Sequence, residues 1–137
     1  MADTELRRAA AIGCGVIGAG WIARLRLNGV DVAAYDPSPD AARVIDVVHQ
    51  NAMLAWRDLD LEPQPESIGS LTVCTSIDEA VASAQLVVES VPERLDVKHA
   101  TLIAVDAAAP ADAVIASSTS GFRPTVLAEP LARPERL

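Results

Sequence analysis

Short apolar runs alternate along the chain with longer segments of mixed polarity. Five runs bounded by glycine, proline or polar residues are typical of buried strands: residues 8–13, 30–35, 71–74, 86–89 and 113–117. The segments between them are long enough for crossover helices. This alternation predicts an α/β Rossmann fold, a doubly wound parallel sheet with right-handed crossovers.

The first two helices are predicted from apolar spacing and from residues that favour helix ends. Apolar side chains recur every four residues after the first strand, and Gly29 ends that helix. These apolar residues are Ile17, Trp21 and Leu25. Ser38-Pro39-Asp40 predicts the start of a second helix, with a capping hydroxyl, a proline at the first helical position and an acid in the first turn. That helix is expected to run to about Trp56, and both tryptophans are expected to pack inside.

The later helices follow similar signals. Pro63 and Pro65 mark a loop before the third strand. Ser76 and Glu79 have the spacing of a capping box, which predicts a short helix. A longer helix is predicted over 93–108, with one apolar face formed by Leu95, Leu102 and Val105.

Length and composition support one domain over residues 1–137. Half of the residues are hydrophobic but only 3% are aromatic, so the core is built from small side chains, which suits helices packed on a parallel sheet. The formal net charge is −8. Because this charge repels phosphate backbones, nucleic acid is not expected as a partner.

The two cysteines, Cys14 and Cys74, lack metal-ligand spacing and predict free thiols in a reducing cytoplasm. An apolar run over 9–23 follows two arginines, as in a signal peptide. Acidic residues before it and glycines within it argue against that interpretation. No segment is long and uniformly apolar enough to predict a membrane span.

The turn after the first strand carries the clearest chemical signal. It reads Gly13-Cys14-Gly15-Val16-Ile17-Gly18, between a predicted strand and a predicted helix. In a dinucleotide fingerprint, Gly13 makes the tight turn, Gly15 lets a pyrophosphate approach the backbone and Gly18 permits close helix packing. The helix N-terminus would then offer N–H groups to the phosphates. The alternative is a glycine-rich turn without a ligand.

Asp36 lies 23 residues after Gly13, at the end of the second strand. A carboxylate there can accept hydrogen bonds from a ribose diol and would repel a 2′-phosphate, so NAD is expected in preference to NADP. The alternative is a turn aspartate beside Pro37. Arg43 lies a helical turn or more further along and is interpreted as a surface residue.

Three more segments, together with the glycine turn, resemble the 3-hydroxyacyl-CoA dehydrogenase family over nearly the whole chain. They are Val87-Val88-Glu89-Ser90-Val91-Pro92-Glu93, Leu95-Asp96-Val97-Lys98 and Ala116-Ser117-Ser118-Thr119-Ser120-Gly121. The resemblance implies an NAD-dependent enzyme that oxidises a 3-hydroxy substrate. It also implies that Glu93 and Lys98 lie along the NAD site, and that Ser120 contacts the nicotinamide region and the substrate oxygen.

Elementary chemistry is compatible with these roles. Glu93 and Ser120 follow the carboxyl ends of the fourth and fifth strands, where open α/β sheets bind ligands. A serine hydroxyl there can donate to a developing alkoxide. The alternatives are that Glu93 caps a helix, that Lys98 is a solvated helix residue and that Ser120 is an ordinary loop hydroxyl.

Within the family, the details most resemble the L-carnitine dehydrogenases. The matching segments are 89–94, 117–121, 124–125 and 133–136, and Ser118 stands where the acyl-CoA enzymes usually have asparagine. Residues 36–66 also contain seven acids but no lysine, a poor host for the phosphates of CoA. These acids are Asp36, Asp40, Asp46, Asp58, Asp60, Glu62 and Glu66. The alternatives are that they only solvate a helix, that the substrate is a 3-hydroxyacyl-CoA, or that the chain is a non-catalytic nucleotide-binding module.

The resemblance also indicates what lies beyond residue 137. The family's general base, a histidine after a sixth strand, and its helical C-terminal domain are not reached, so the Rossmann sheet is expected to be truncated. We therefore expect the chain to bind NAD without turnover, since alcohol oxidation needs a proton acceptor. A homodimer is expected for the full-length enzyme. For this chain, self-association through the open edge of the fifth strand is expected.

Overall fold

The computed structural model describes residues 5–59 and 67–137. The strands are β1 (Arg8–Ile12), β2 (Asp31–Tyr35), β3 (Leu71–Val73), β4 (Leu86–Glu89) and β5 (Val114–Ser117). The helices are α1 (Val16–Leu27), α2 (Ala41–Asp58), α3 (Ile77–Val81), α4 (Leu95–Ala108) and α5 (Pro124–Ala128), followed by a 3-10 turn over Pro134–Arg136. Each predicted strand is present, with bounds that agree within one residue.

The five strands form one parallel sheet in the order β3-β2-β1-β4-β5. The chain winds outward from β1 in one direction, then returns and winds in the other, which confirms the predicted Rossmann fold. The predicted loop at Pro63 and Pro65 lies outside the described residues. Among the helices that are described, none is long and apolar enough to cross a membrane.

Alternate residues of β1 face two separate cores. Ala9 and Ala11 point into the layer formed with α1 and α2, whereas Ala10 and Ile12 point into the layer formed with α3 and α4. Alanines on the central strand let helices approach the sheet closely, which explains how a chain with few aromatic residues fills its core.

The buried face of α1 differs from the one that its largest side chains suggest. The packing prediction for Trp21 was wrong, because this side chain is 45% exposed, and Ile17 is 61% exposed. The buried residues are Gly18, Ala19, Ile22, Ala23, Leu25 and Leu27. Trp56 does pack as predicted, and the Arg24 guanidinium lies 4.8 Å from its ring centroid.

The start of α2 is shifted slightly from its prediction, whereas α3 starts as predicted with one changed hydrogen bond. The second helix begins at Ala41, after Pro39, and the Ser38 hydroxyl accepts a hydrogen bond from the Asp40 N–H at 3.3 Å. Ser76 caps α3 as predicted, accepting from the Glu79 N–H at 3.2 Å. The reciprocal bond is displaced by one residue, because the Glu79 carboxylate accepts from Thr75.

A charge cluster around the buried Asp106 attaches the last residues to α4, and we call it the C-terminal clamp: Asp106, Arg133 and Arg136. The Asp106 Oδ1 lies 2.6 Å from the Arg136 Nη2, and its Oδ2 accepts from the backbone N–H groups of Ala132 and Arg133. Arg136 also donates to the Pro110 carbonyl at 2.6 Å. The carboxylate is thus compensated by both charge and hydrogen bonds, as a buried ion requires.

Candidate cofactor site

A cleft of about 530 Å³ opens at the carboxyl ends of the strands, beside the point where the winding direction reverses. This is where open α/β sheets bind ligands. Its walls are mainly apolar, with Asp36, Ser90 and Thr101 as polar members. The remaining lining residues are Ile12, Gly13, Gly15, Tyr35, Pro37, Ile77, Val91, Pro92 and Val97.

The three glycines of the turn are subject to different constraints. Gly13 has a φ of +91°, and a Cβ there would lie 2.7 Å from the Ser90 carbonyl group. A Cβ on Gly18 would lie 1.8 Å from the Gly13 oxygen, so this glycine is needed for the turn to close against the helix. By contrast, a Cβ on Gly15 would meet nothing within 4 Å. The protein leaves open the space in which the fingerprint predicts a pyrophosphate.

Helix α1 presents an uncapped N-terminus to this space. Gly15 is the N-cap residue, and no side chain provides a capping hydrogen bond. The first-turn N–H groups have no acceptor within the helix and carry the positive end of its dipole. Val16 and Ile17 in this turn are exposed. An anion placed here would be held by backbone donors rather than by basic side chains.

Asp36 connects the glycine turn to the end of β2. Its Oδ2 accepts the Cys14 N–H at 2.7 Å, and its Oδ1 accepts the Ser38 N–H at 2.7 Å. The residue is half-buried and lines the cleft. Because each carboxylate oxygen can accept more than one hydrogen bond, Asp36 retains acceptor capacity for a ribose diol.

Cys14 fills space inside the turn. Burial, followed by the nearby Asp36 carboxylate, raises the pKa of its thiol to about 12. A helix N-terminus could in principle have lowered this pKa, but here desolvation dominates. Cys14 and Cys74 are both free and buried.

Glu93 and Ser120 come together across the ends of β4 and β5. The Glu93 Oε2 accepts the Ser120 N–H at 3.2 Å, and its Oε1 accepts the Thr119 hydroxyl. The Thr119 hydrogen bond is the main cause that lowers the pKa of the Glu93 carboxyl. The exposed Glu93 therefore holds the polar turn that carries Ser120, rather than capping α4, whose N-cap residue is Arg94.

Lys98 lies beneath the site instead of at its surface. Its side chain is 1% exposed, and its Nζ lies 2.8 Å from the Oε1 of Glu89, which is fully buried. The alternative of a solvated helix residue was therefore wrong. The ammonium also donates to the Val91 carbonyl at 3.3 Å. The described polar contacts of Lys98 are thus with the buried Glu89 and with the backbone of the cleft-lining Val91.

Neither histidine lies at the cleft. A ring nitrogen of His99 is 2.8 Å from the Val126 carbonyl, and His49 is half-buried within α2. Within residues 5–59 and 67–137, no histidine lines the cleft.

Sequence reasoning did not assign a role to Glu89 or identify most of the lining residues. Glu89 is the one charged residue in the run Leu86-Val87-Val88-Glu89, and Lys98 is the one lysine or arginine within α4. A carboxylate at the end of an otherwise apolar strand, followed by a single lysine on the next helix, is a usable signal for a buried pair, because an uncompensated charge would not be buried. Apolar lining residues such as Ile77 and Val97 carry no comparable signal.

Proteins of known identity are similar in sequence to this chain over most of its length. Residues 8–137 match the family described as 3-hydroxyacyl-CoA dehydrogenase, NAD binding domain. The L-carnitine dehydrogenase of Mesorhizobium japonicum is 50% identical over 133 residues, covering 96% of this chain and 36% of that protein. The L-carnitine dehydrogenase/betainyl-CoA thioesterase of Agrobacterium fabrum is 51% identical over 128 residues, covering 93% and 26%. The chain thus spans about a third or less of the length of these two relatives.

Solved structures of dehydrogenases have a similar fold over nearly the whole of this chain. The NAD⁺-dependent 5-formyl-3-hydroxy-2-methylpyridine 4-carboxylic acid 5-dehydrogenase has a TM-score of 0.85 at 32% identity, covering 96% of this chain and 43% of that one. The 3-hydroxybutyryl-CoA dehydrogenase of Escherichia coli has a TM-score of 0.79 at 29% identity, covering 96% and 28%. On the match over residues 8–137, this chain belongs to the NAD-binding domains of the 3-hydroxyacyl-CoA dehydrogenase family.

Proposed function

We propose that the domain holds NAD in the cleft between the glycine turn and the ends of β4 and β5. The observation that carries the proposal is the open space over Gly15, next to an uncapped helix N-terminus. Backbone N–H groups there would bind the pyrophosphate, and Asp36 would accept hydrogen bonds from the adenosine ribose. Residues 13–18, Asp36, Glu93 and Ser120 form the proposed site. Lys98, the remaining residue predicted to contact NAD, would contribute indirectly, through its ion pair with the buried Glu89.

The reaction that we propose for a protein carrying this domain is oxidation of L-carnitine at C3. The alcohol would become a ketone, NAD would accept the hydride and a basic group would take the hydroxyl proton. Support comes from the 50% identity to an L-carnitine dehydrogenase. Ser120 would donate a hydrogen bond to the substrate oxygen.

The charge distribution favours carnitine over an acyl-CoA. Lys98 is the single lysine in the sequence, and it is buried in an ion pair. In the described part of α2, Arg43 and Arg57 each lie 3.7 Å from an aspartate, Asp40 and Asp58 respectively. Three acids of the acidic segment, Asp60, Glu62 and Glu66, lie outside the described residues. An acidic surface tolerates a trimethylammonium group better than the phosphates of CoA.

Replacing Asp36 with alanine should weaken NAD binding and reduce the discrimination against NADP. Hydrogen bonds to a charged acceptor contribute about 1.5–3 kcal/mol, so we expect the dissociation constant for NAD to rise roughly 10- to 100-fold. Calorimetric titration of the wild type and of Asp36→Ala with both dinucleotides measures this. Asp40→Ala, which removes an exposed acid outside the cleft lining, should bind like the wild type. Equal affinity of the wild type for NAD and NADP would contradict the role of Asp36.

Substrate assays separate the remaining alternatives. The 137-residue chain should bind NAD without reducing it, because no described histidine faces the cleft. A protein carrying this domain at the length of its relatives should reduce NAD with L-carnitine and not with 3-hydroxybutyryl-CoA; absorbance at 340 nm follows the product. The opposite preference would favour the acyl-CoA reaction, and inactivity with both would favour a non-catalytic module. A cytoplasmic location, a full-length homodimer and self-association through β5 stay predictions.

A further inference from the structure

A connected set of hydrogen bonds runs from the buried Lys98 to the exposed turn that carries Ser120; we call it the strand-end network. Its innermost members are Lys98 and Glu89, at most 1% exposed. The Glu89 carboxylate accepts from Lys98 Nζ and from the Val91 N–H, each at 2.8 Å, and its Oε2 accepts the Ser117 hydroxyl. Glu89 thereby joins α4, the segment after β4, and the end of β5.

The network continues outward through β5. Ser117 is the register partner of Glu89, which places the donor hydroxyl beside the buried carboxylate. The same Ser117 oxygen accepts the Thr119 N–H at 3.3 Å. The Thr119 hydroxyl donates to Glu93, and Glu93 accepts the Ser120 N–H. Each step between residues from Glu89 to Ser120 is therefore a hydrogen bond, and the path crosses Thr119 through its covalent bonds from backbone N–H to hydroxyl.

The composition of the network suggests a role beyond stability. A hydrophobic pair of similar volume is often at least as stabilising as a buried ion pair, so such pairs are weak evidence for stability alone. Unlike an apolar side chain, a carboxylate can accept several hydrogen bonds in defined directions. Besides Lys98, its donors come from the two segments that carry Glu93 and Ser120.

We propose that Glu89 and Ser117 are positioning residues for the nicotinamide end of the cofactor site. They would fix the Ser120 turn relative to β4, while the glycine turn and Asp36 bind the other end of the dinucleotide independently. This inference rests on the proposed NAD site. It separates the site into an adenosine-diphosphate half, set by β1 and β2, and a nicotinamide half, set by β4 and β5.

The affinities for NAD and for ADP-ribose, which lacks the nicotinamide, test whether the two halves of the site are set independently. Ser117→Ala removes both hydrogen bonds of the hydroxyl and should weaken NAD binding roughly fivefold, the effect of about one hydrogen bond. Affinity for ADP-ribose should stay within about twofold of the wild type. Ser117→Thr keeps a hydroxyl and should restore NAD affinity. Calorimetric titration with both ligands provides the readout.

A second variant and a control keep the result interpretable. Thr119→Val breaks the network nearer the surface without touching Glu89, and should show the same selective loss of NAD affinity if Ser117→Ala does not fold. Ser83→Ala removes an exposed hydroxyl in the loop between α3 and β4 and should change neither affinity. Equal losses for both ligands, or no loss for either, would overturn the positioning role. A wild type that binds neither ligand would instead refute the proposed NAD site.

Discussion

A methyl group added at Gly15, Gly18 or Gly20 should give three different results. Gly15→Ala should fold, because its Cβ meets no protein atom within 4 Å and its φ of −68° is ordinary. The cost at this N-cap position should stay below about 1 kcal/mol. NAD affinity should nevertheless fall at least tenfold, or about 1.4 kcal/mol, because the methyl group occupies the space proposed for the pyrophosphate.

Gly18→Ala should act on folding instead. Its Cβ would lie 1.8 Å from the Gly13 oxygen, and backbone atoms cannot move aside as a flexible side chain can. We expect the free energy of unfolding to fall by about 3 kcal/mol or more, at or above the usual range for overpacking. Urea denaturation followed by circular dichroism measures this loss.

Gly20→Ala is the matched control for both. It lies in the interior of α1, where an added Cβ meets nothing within 4 Å. Removing a helical glycine should stabilise the protein by up to about 1 kcal/mol and leave NAD affinity unchanged. If Gly15→Ala binds NAD as well as Gly20→Ala does, the proposed position of the pyrophosphate is wrong.

Lys98→Met should be among the most destabilising single substitutions in the described chain. It leaves the fully buried Glu89 carboxylate without its cation, which typically costs about 3–5 kcal/mol. The free energy of unfolding from urea titration at pH 7 gives the value. Arg43→Met is the control, because its ion pair with Asp40 is more than two-thirds exposed and worth about 0–1 kcal/mol.

The double variant Glu89→Leu/Lys98→Met distinguishes the charge from the packing. It removes both ions together, so part of the stability lost in Lys98→Met should return, while the Val91 N–H and the Ser117 hydroxyl lose their acceptor. NAD affinity should be lower in the double variant than in the wild type, because leucine cannot accept the hydrogen bond of the Ser117 hydroxyl. A double variant as unstable as Lys98→Met would mean that the charges are not the cause.

The sheet could be predicted because each strand is a short apolar run and each crossover is long enough for a helix. The pattern of apolar residues along the chain predicts the strands and helices, and the spacing of the glycines predicts the turn after β1. Gly13 has the positive φ that a tight turn requires, as its position after β1 suggested. The positions of Asp36, Glu93 and Ser120 at one edge of the sheet could be predicted, because the carboxyl ends of parallel strands meet there.

Features set by tertiary packing could not be predicted in this way. The face of α1 that packs on the sheet was not evident, because hydrophobicity ranks Trp21 above Ala19, whereas close packing selects the smaller residue. Gly69 is a further case, since its Cβ would lie 1.9 Å from the Val30 oxygen, a contact between residues 39 positions apart. The bond from Ser117 to Glu89 spans 28 positions and depends on strand register.

The C-terminal clamp determines how far the domain could be shortened. A fragment ending at residue 131 would retain each of the strands and α-helices found within residues 5–59 and 67–137. It would nevertheless strip the buried Asp106 of two guanidinium partners and of two backbone donors. We therefore expect the shortest stable fragment to be determined by the charge and hydrogen-bond partners of one aspartate on α4, several residues after the last regular helix has ended.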